Sequence, residues 1–247
     1  MTRMAHKVCV VTGGAVGLGR VYCQALAKEG ARVAVLDIVD GSDLAHELGG
    51  IYVKTDVSDA ANVDASVARV REHFGRIDVL VNNAAIFSTL PLARYDQIDP
   101  DLWDQVMAVN TKGAFLMIRA VGPVMEAQGS GKIINITSGT TYKGMPNLLH
   151  YVSSKGALVA MTRCLSRELG DHGICINNLS PGLILSDSIS ANKEHVDGLS
   201  ERVIASRALK RHGYPDDLIG ALLFLASADS DFVTGQTIAV DGGSVNT

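Results

Sequence analysis

Nowhere in these 247 residues is there a run of about 18 unbroken apolar positions, so no segment reads as a membrane span. The N-terminus, MTRMAHKVCVVTGG, has basic residues followed by a short apolar run that stops at glycines with no small-residue cleavage site. It reads as a first buried strand rather than a secretory signal. The four cysteines, Cys9, Cys23, Cys164 and Cys175, form no C-x-x-C pair, so neither a disulfide frame nor a zinc site is expected, and they count as small buried hydrophobes. Seven histidines occur without H-E-x-x-H or similar spacing, so no metal is expected. Positive charge is not in excess: the net charge is −4 with pI ≈ 5.9, which gives nucleic acid no electrostatic handle. Linkers, repeats and low-complexity tracts are absent too. A cytoplasmic protein of one domain is the expectation, and with 47% hydrophobic residues it has ample material for a core.

Short apolar runs alternate with longer helical patterns from end to end. Strand-like runs lie at 8–13, 32–37, 51–57, 77–85, 132–138, 173–182 and 235–243. Helical patterns lie at 19–30, 63–75, 102–128 (one long helix or two in succession), 150–169 and 218–227. Strands that are apolar throughout, separated by helices, imply a parallel sheet covered on both faces. The prediction is α/β: a single Rossmann-type, doubly wound domain over 1–247. Residues 186–212 have no clean period and are a candidate substrate lid.

Chemistry is concentrated in Tyr151-Val152-Ser153-Ser154-Lys155. Residues at i and i+4 of a helix share a face, so a phenol and an ammonium are placed together. A nearby cation favours phenolate and lowers the tyrosine pKa from its reference near 10, which suits a group that takes a proton from an alcohol or returns one to a ketone. Y-x-x-x-K is a short pattern, and alone it fits two ordinary helix residues equally well. Tyr142, with Pro146 at i+4, has no lysine partner and is read as a loop tyrosine or a pocket residue. His150 points about 100° away from Tyr151 on the helix and is expected at the surface or in a subunit contact.

Gly13, Val16, Gly17, Leu18 and Gly19 form a glycine-rich turn between the first strand and the first helix. Glycine there permits a tight turn and close approach of backbone to a pyrophosphate, and the helix N-terminus attracts the anion. The spacing is G-x-x-x-G-x-G rather than G-x-G-x-x-G. Asp37, followed by Ile38, ends the second strand about 20 residues on, where an acidic residue accepts hydrogen bonds from the adenosine ribose. Its charge repels a 2′-phosphate, and no Lys or Arg lies between Gly13 and Gly19, so NAD is expected over NADP. Asp56-Val57 and Asn83-Ala84-Ala85 close further strands; they can bracket a cofactor or serve as simple turn formers.

In order along the chain, TGGAVGLG, Asp37, Asp56, NNAA, Asn110, Ser138, Tyr151–Lys155 and Pro181-Gly182 resemble the short-chain dehydrogenase/reductase family, and the likeness covers essentially the whole chain. It implies Tyr151 as acid/base, Lys155 as the residue that holds the nicotinamide ribose and lowers the tyrosine pKa, and Ser138 as the hydroxyl on the substrate oxygen. It implies Asn110 as the helix-interrupting asparagine of a water-linked proton relay, and Pro181, Gly182, Ile184 and Ser186 as the nicotinamide-side loop. Two positions depart from the family pattern: Ala85 stands where glycine is usual, and Ser186 where threonine is usual. The resemblance further implies a homotetramer.

Leu183 and Ile184, with Ile86, Thr140, Tyr142, Met145 and Leu148, make a largely apolar substrate wall, and no Arg cluster is evident to clamp a carboxylate or phosphate. The expected substrate is therefore a neutral, hydrophobic secondary alcohol or its ketone. The TSGTTYKGMPNLLHYVSSK and PGLILSD segments are most similar to those of bacterial aryl-ethanol dehydrogenases and of a pyridoxal dehydrogenase, which implies an aromatic alcohol. The rivals are a 3-oxoacyl thioester or steroid reductase on the same fold, and a non-catalytic NAD-sensing protein, which has no need of Ser138, Tyr151 and Lys155 together.

Overall fold

The computed structural model describes residues 2–186 and 200–245. Seven parallel strands form one sheet in the order β3-β2-β1-β4-β5-β6-β7. They are β1 (Val8–Thr12), β2 (Arg32–Asp37), β3 (Ile51–Lys54), β4 (Val79–Asn82), β5 (Gly131–Ile136), β6 (Ile174–Pro181) and β7 (Thr237–Val240). The chain reverses its direction of travel across the sheet between β1 and β4, and a crevice opens at the carboxyl ends of strands at such a switch point. The central strands carry buried side chains on both faces, as continuous apolar runs require.

One face is covered by α1 (Gly17–Lys28), α2 (Ser42–Glu47) and α9 (Asp216–Ala226). Tyr22, Leu26, Leu44, Leu218 and Leu222 pack there on Val11, Val35, Val81 and Ile134. The other face is covered by α3 (Ala60–Phe74), α5 (Gly113–Gln128) and α7 (Leu149–Leu169), whose Val63, Val67, Met117, Val121 and Leu169 meet Val10, Leu80, Ile133 and Ile176. Truncating one such buried residue to alanine costs about 2–5 kcal/mol. A smaller cluster of Leu90, Val106, Leu148 and Tyr151 sits apart, beside the crevice.

Local chemistry sets the element ends. Asp59 caps α3 by accepting from the Ala61 and Asn62 amides, and Gly75 ends the helix with φ 79°. Gly30 follows α1 at φ 92°, as a C′ glycine does. Some elements differ from expectation. β3 stops at Lys54, not 57, because the Thr55 hydroxyl turns to Val53 O and Ser66 Oγ and Asp56 accepts from the Ser58 amide. β4 spans four residues rather than the nine of 77–85, and α2 has no counterpart among the expected helices. The pattern at 102–128 is continuous: α4 (Pro100–Met107) runs through a π-helical turn, Ala108–Lys112, into α5. Tyr142 lies not in a loop but in the short helix α6 (Thr140–Lys143). His150 is fully buried, not at the surface, and burial lowers its pKa. Of the candidate lid, 187–199 lie outside the described residues, while α8 (Ser200–Ser206) is helical.

Candidate active site

A cleft of about 570 Å³ runs along the carboxyl ends of the strands. Its β1 side is made of backbone held by side chains. Gly13 has φ 61°, and a Cβ on it would come within 2.9 Å of Ala84 Cα, so only glycine lets the turn sit this close to β4. Thr12 Oγ1 accepts from the Asn83 and Ala84 amides, and Asn83 Nδ2 donates to the carbonyls of Thr12 and Gly13. Gly19 is off the cleft wall: a Cβ there would collide with the Gly13 carbonyl. Val16 makes no side-chain cap on α1, which leaves the first-turn N–H groups available to an anion. Asp37 is buried, its Oδ2 accepting from the Ala15 amide at 2.9 Å and its Oδ1 from the Val39 amide at 3.0 Å. Ile38, Asp56, Val57 and Ala85 complete this side, with Val16, Gly17 and Leu18.

The β5–β6 side carries reactive side chains. Ser138 follows β5, and its Oγ accepts from Thr140 Oγ1 at 2.9 Å. Tyr151 in the first turn of α7 is hydrogen-bonded to the Ser138 side chain, and the Phe87 ring lies against it with centroids 4.5 Å apart. Lys155, one turn on, lies with Nζ 5.9 Å from the Tyr151 ring centroid and donates to Ile136 O at 2.8 Å. Here the electrostatics differ from expectation. Burial pushes the Tyr151 phenol up to about 12, opposed only by the Ser138 hydrogen bond, and burial pushes Lys155 down to about 8. The Lys155 ammonium faces a strand carbonyl rather than the phenol oxygen, and loss of solvent favours the neutral form of both groups.

Asn110 sits in the π-helical turn and does not reach the cleft wall. Its Oδ1 accepts from the Ile86 amide at 2.7 Å, and its Nδ2 donates to Ile86 O and to Ser154 Oγ. Ser154 Oγ in turn donates to Tyr151 O. The asparagine thus ties the β4 loop to the Tyr–Lys helix; Ser154, beside Lys155 in the motif, was the unread signal of that tie.

Pro181, Gly182, Leu183, Ile184 and Ser186 line the cleft as one segment. Ile184 bridges to Gly213, and buried Arg207 donates to Leu183 O and Arg211 O, each at 2.6 Å. No motif pointed to Arg207; it lies in a stretch without period. Of the expected substrate residues, Ile86, Thr140 and Leu183 are on the wall. Tyr142 and Leu148 are not: the Tyr142 hydroxyl is buried with no partner among the described residues, and Leu148 packs in the cluster with Tyr151. Lys143, Val203, Asp241 and Ser244 line the cleft unannounced.

A family model described as enoyl-(acyl carrier protein) reductase matches residues 13–245. The chain belongs to the short-chain dehydrogenase/reductase family. It is therefore an oxidoreductase of a family that works with NAD(P). Galactitol 2-dehydrogenase of Agrobacterium fabrum is 38% identical, with 98% of each chain covered. A 3-oxoacyl-(acyl-carrier-protein) reductase of Thermotoga maritima is 36% identical over 98% of this chain and 99% of its own. Sorbitol dehydrogenase of Cereibacter sphaeroides is 34% identical, again with 98% of each covered. Among solved structures, levodione reductase superposes with a TM-score of 0.90 at 30% identity, covering 97% of this chain and 98% of that one. A protein described as a short-chain alcohol dehydrogenase, from Sinorhizobium meliloti, superposes at 0.91 and 30%, covering 98% of both.

Proposed function

We propose that this protein is an NAD-dependent dehydrogenase that interconverts a hydrophobic secondary alcohol, aromatic by preference, and its ketone. The observation that carries the reading is the meeting of Ser138, Tyr151 and Lys155 on one cleft wall whose far end is closed by Asp37. The residues fit the cofactor. The glycine turn at Gly13 and Gly17, with the uncapped start of α1, suits a pyrophosphate. The Asp37 carboxylate suits a free ribose and opposes a 2′-phosphate, and it is followed by exposed Ile38 and Val39 rather than a cation. Asp56 and Val57 flank the adenine end; Ala84 and Ala85, with Ile184 and Ser186, flank the nicotinamide end.

When bound, the nicotinamide supplies the hydride acceptor and a positive charge. The chain's own residues do the rest. Ser138 Oγ holds the alcohol oxygen and stabilises charge developing on it. The Tyr151 phenolate takes the hydroxyl proton. Burial favours the protonated phenol, so Tyr151 as base needs positive charge beside it; Lys155 would add its ammonium to the charge that a bound nicotinamide would supply. Asn110 and Ser154 hold the helix turn that presents both groups.

Ile86, Phe87, Met145 and Leu183 give the substrate an apolar wall, with the Phe87 and Tyr151 rings already in contact. A second reading, a polyol or sugar alcohol, is favoured by Lys143, Arg207 and Asp241 on the same wall and by two of the relatives. Initial rates with NAD and NADP against aryl, alicyclic and polyol alcohols, with a 3-oxoacyl thioester in the reverse direction, test both. Reaction with polyols or thioesters alone, or preference for NADP, sinks the first reading. We also propose a homotetramer, supported by Phe115 on α5 and Leu149 on α7, both exposed; sedimentation of the intact protein tests it.

A further inference from the structure

On the α3/α5/α7 face of the sheet, side chains alternate inward at every second residue. Leu80, Ile133 and Ile176 obey the apolar rule there. Two residues further along each strand stand Asn82, Asn135 and Asn178, all buried. They are registered neighbours on β4, β5 and β6, with Thr237 of β7 next in line. Buried amides cost stability unless paired, and among the described residues these are bonded in one chain that leaves only Asn82 Oδ1 without a partner. Asn82 Nδ2 donates directly to Asn135 Oδ1 at 2.8 Å. Between β5 and β6 the chain of bonds leaves the sheet. Asn135 Nδ2 donates to Thr162 Oγ1 at 2.9 Å, and that hydroxyl donates to Asn178 Oδ1 at 2.6 Å. Asn178 Nδ2 then reaches Thr237 Oγ1 at 3.0 Å. A network that served strand register alone has no need of a helix residue in its middle.

We propose that Thr162 is a positioning residue, holding the helix that carries Tyr151 and Lys155 at a set height and rotation over the strand ends that carry Ser138 and Gly182. The proposal rests on the acid/base reading of Tyr151. Thr162 lies seven residues, two turns, after Lys155 and so on the same helix face. Lys155 makes the other tie, to Ile136 O, the residue after Asn135. Asn135 is three residues before Ser138, and Asn178 is four before Gly182. One hydroxyl thus links the acid/base helix to both strands that frame the reacting atoms.

The test compares the parent with Thr162→Val, which keeps shape and loses the hydroxyl, and with Thr162→Ser, which restores it. The proteins are labelled with 3-fluorotyrosine, and the Tyr151 resonance is assigned by its loss in Tyr151→Phe. In Thr162→Val the Tyr151 fluorine signal moves and kcat falls about 10–100-fold, as displacement of a reacting group by an ångström does, while the Kd for NADH holds. Thr162→Ser returns both to parental values. A folded Thr162→Val protein with a parental Tyr151 signal, or with parental kcat, overturns the proposal; where no alcohol is turned over, the signal decides alone. If Thr162→Val does not fold, Asn178→Ser, which shortens one partner and leaves Thr162 in place, carries the same expectations and the same refutation. Near-parental turnover in Tyr151→Phe would instead overturn the acid/base reading, and the positioning role with it, even where Thr162→Val behaves as expected.

Discussion

At the β1 end of the cleft the wall is main chain: a glycine turn pressed against β4, a helix start without a cap, and a carboxylate whose oxygens accept from the Ala15 and Val39 amides. At the β5–β6 end the wall is side chain: Ser138, Tyr151 and Lys155, with Phe87, Met145, Leu183 and Arg207 around them. The first end suits a ligand of fixed shape, because backbone geometry leaves little to vary. The second suits whatever those side chains fit, and relatives 34–38% identical to this chain carry names as different as galactitol 2-dehydrogenase, sorbitol dehydrogenase and 3-oxoacyl-(acyl-carrier-protein) reductase.

The largest test of this division is Tyr151→Phe. It removes one oxygen from the side-chain wall and leaves the backbone wall alone. Turnover should fall about 10²–10⁴-fold, with NADH binding, read by fluorescence, unchanged. A parallel loss of NADH affinity would show that the two ends are not separable.

Asp37→Asn tests the other end. The amide keeps one acceptor but sets an NH₂ against a backbone N–H and removes the charge that repels a 2′-phosphate. The KM for NAD should rise about 10–100-fold, the range of a lost charged hydrogen bond, while NADP gains relative to NAD. Steady-state kinetics with both cofactors check it; an unchanged cofactor ratio would break the assignment. Phe87→Ala is milder. Loss of one aromatic contact is worth about 2–10-fold in KM for an aryl alcohol, and little for a polyol. Equal effects on both would remove the case for an aromatic preference.

What could be read from the residues follows the same line. Gly13, Gly17 and Asp37 were legible because backbone geometry restricts which residues can stand there. Helix spacing put Tyr151 and Lys155 on one face, whereas Ser138 was indicated only by the family resemblance, since a hydroxyl at a strand end has no spacing that singles it out. Arg207 was not legible, since it reaches Leu183 O from a stretch without period. Nor was the true place of Tyr142, whose four-residue helix is too short to leave a pattern. Thr162 was hidden differently: a hydroxyl among apolar helix positions looks neutral until Asn135 and Asn178 are seen on either side of it.

The assumption that proximity to Lys155 lowers the Tyr151 pKa failed for a physical reason, and it yields the smallest prediction. Lys155 is 2% exposed and held near 8 by burial, against about 10.4 when solvated. Below pH 8 it is charged both folded and unfolded, and the folded state bears the full cost of an ammonium removed from water. As pH rises from about 8 towards 10.4 the folded state loses its proton first, the cost is relieved, and above that range the residue contributes nothing through ionisation. Lys155→Met never bears this cost, although it leaves Ile136 O unpaired at every pH. The parent should therefore gain stability relative to Lys155→Met across that window, by at most about 3 kcal/mol. Urea unfolding of both proteins at pH 7, 9 and 10.5, without cofactor, measures it. The raised Tyr151 pKa is common to the two proteins and largely cancels in the difference. A stability difference independent of pH would mean that Lys155 keeps its water, and that the side-chain end of the cleft is wetter than its packing indicates.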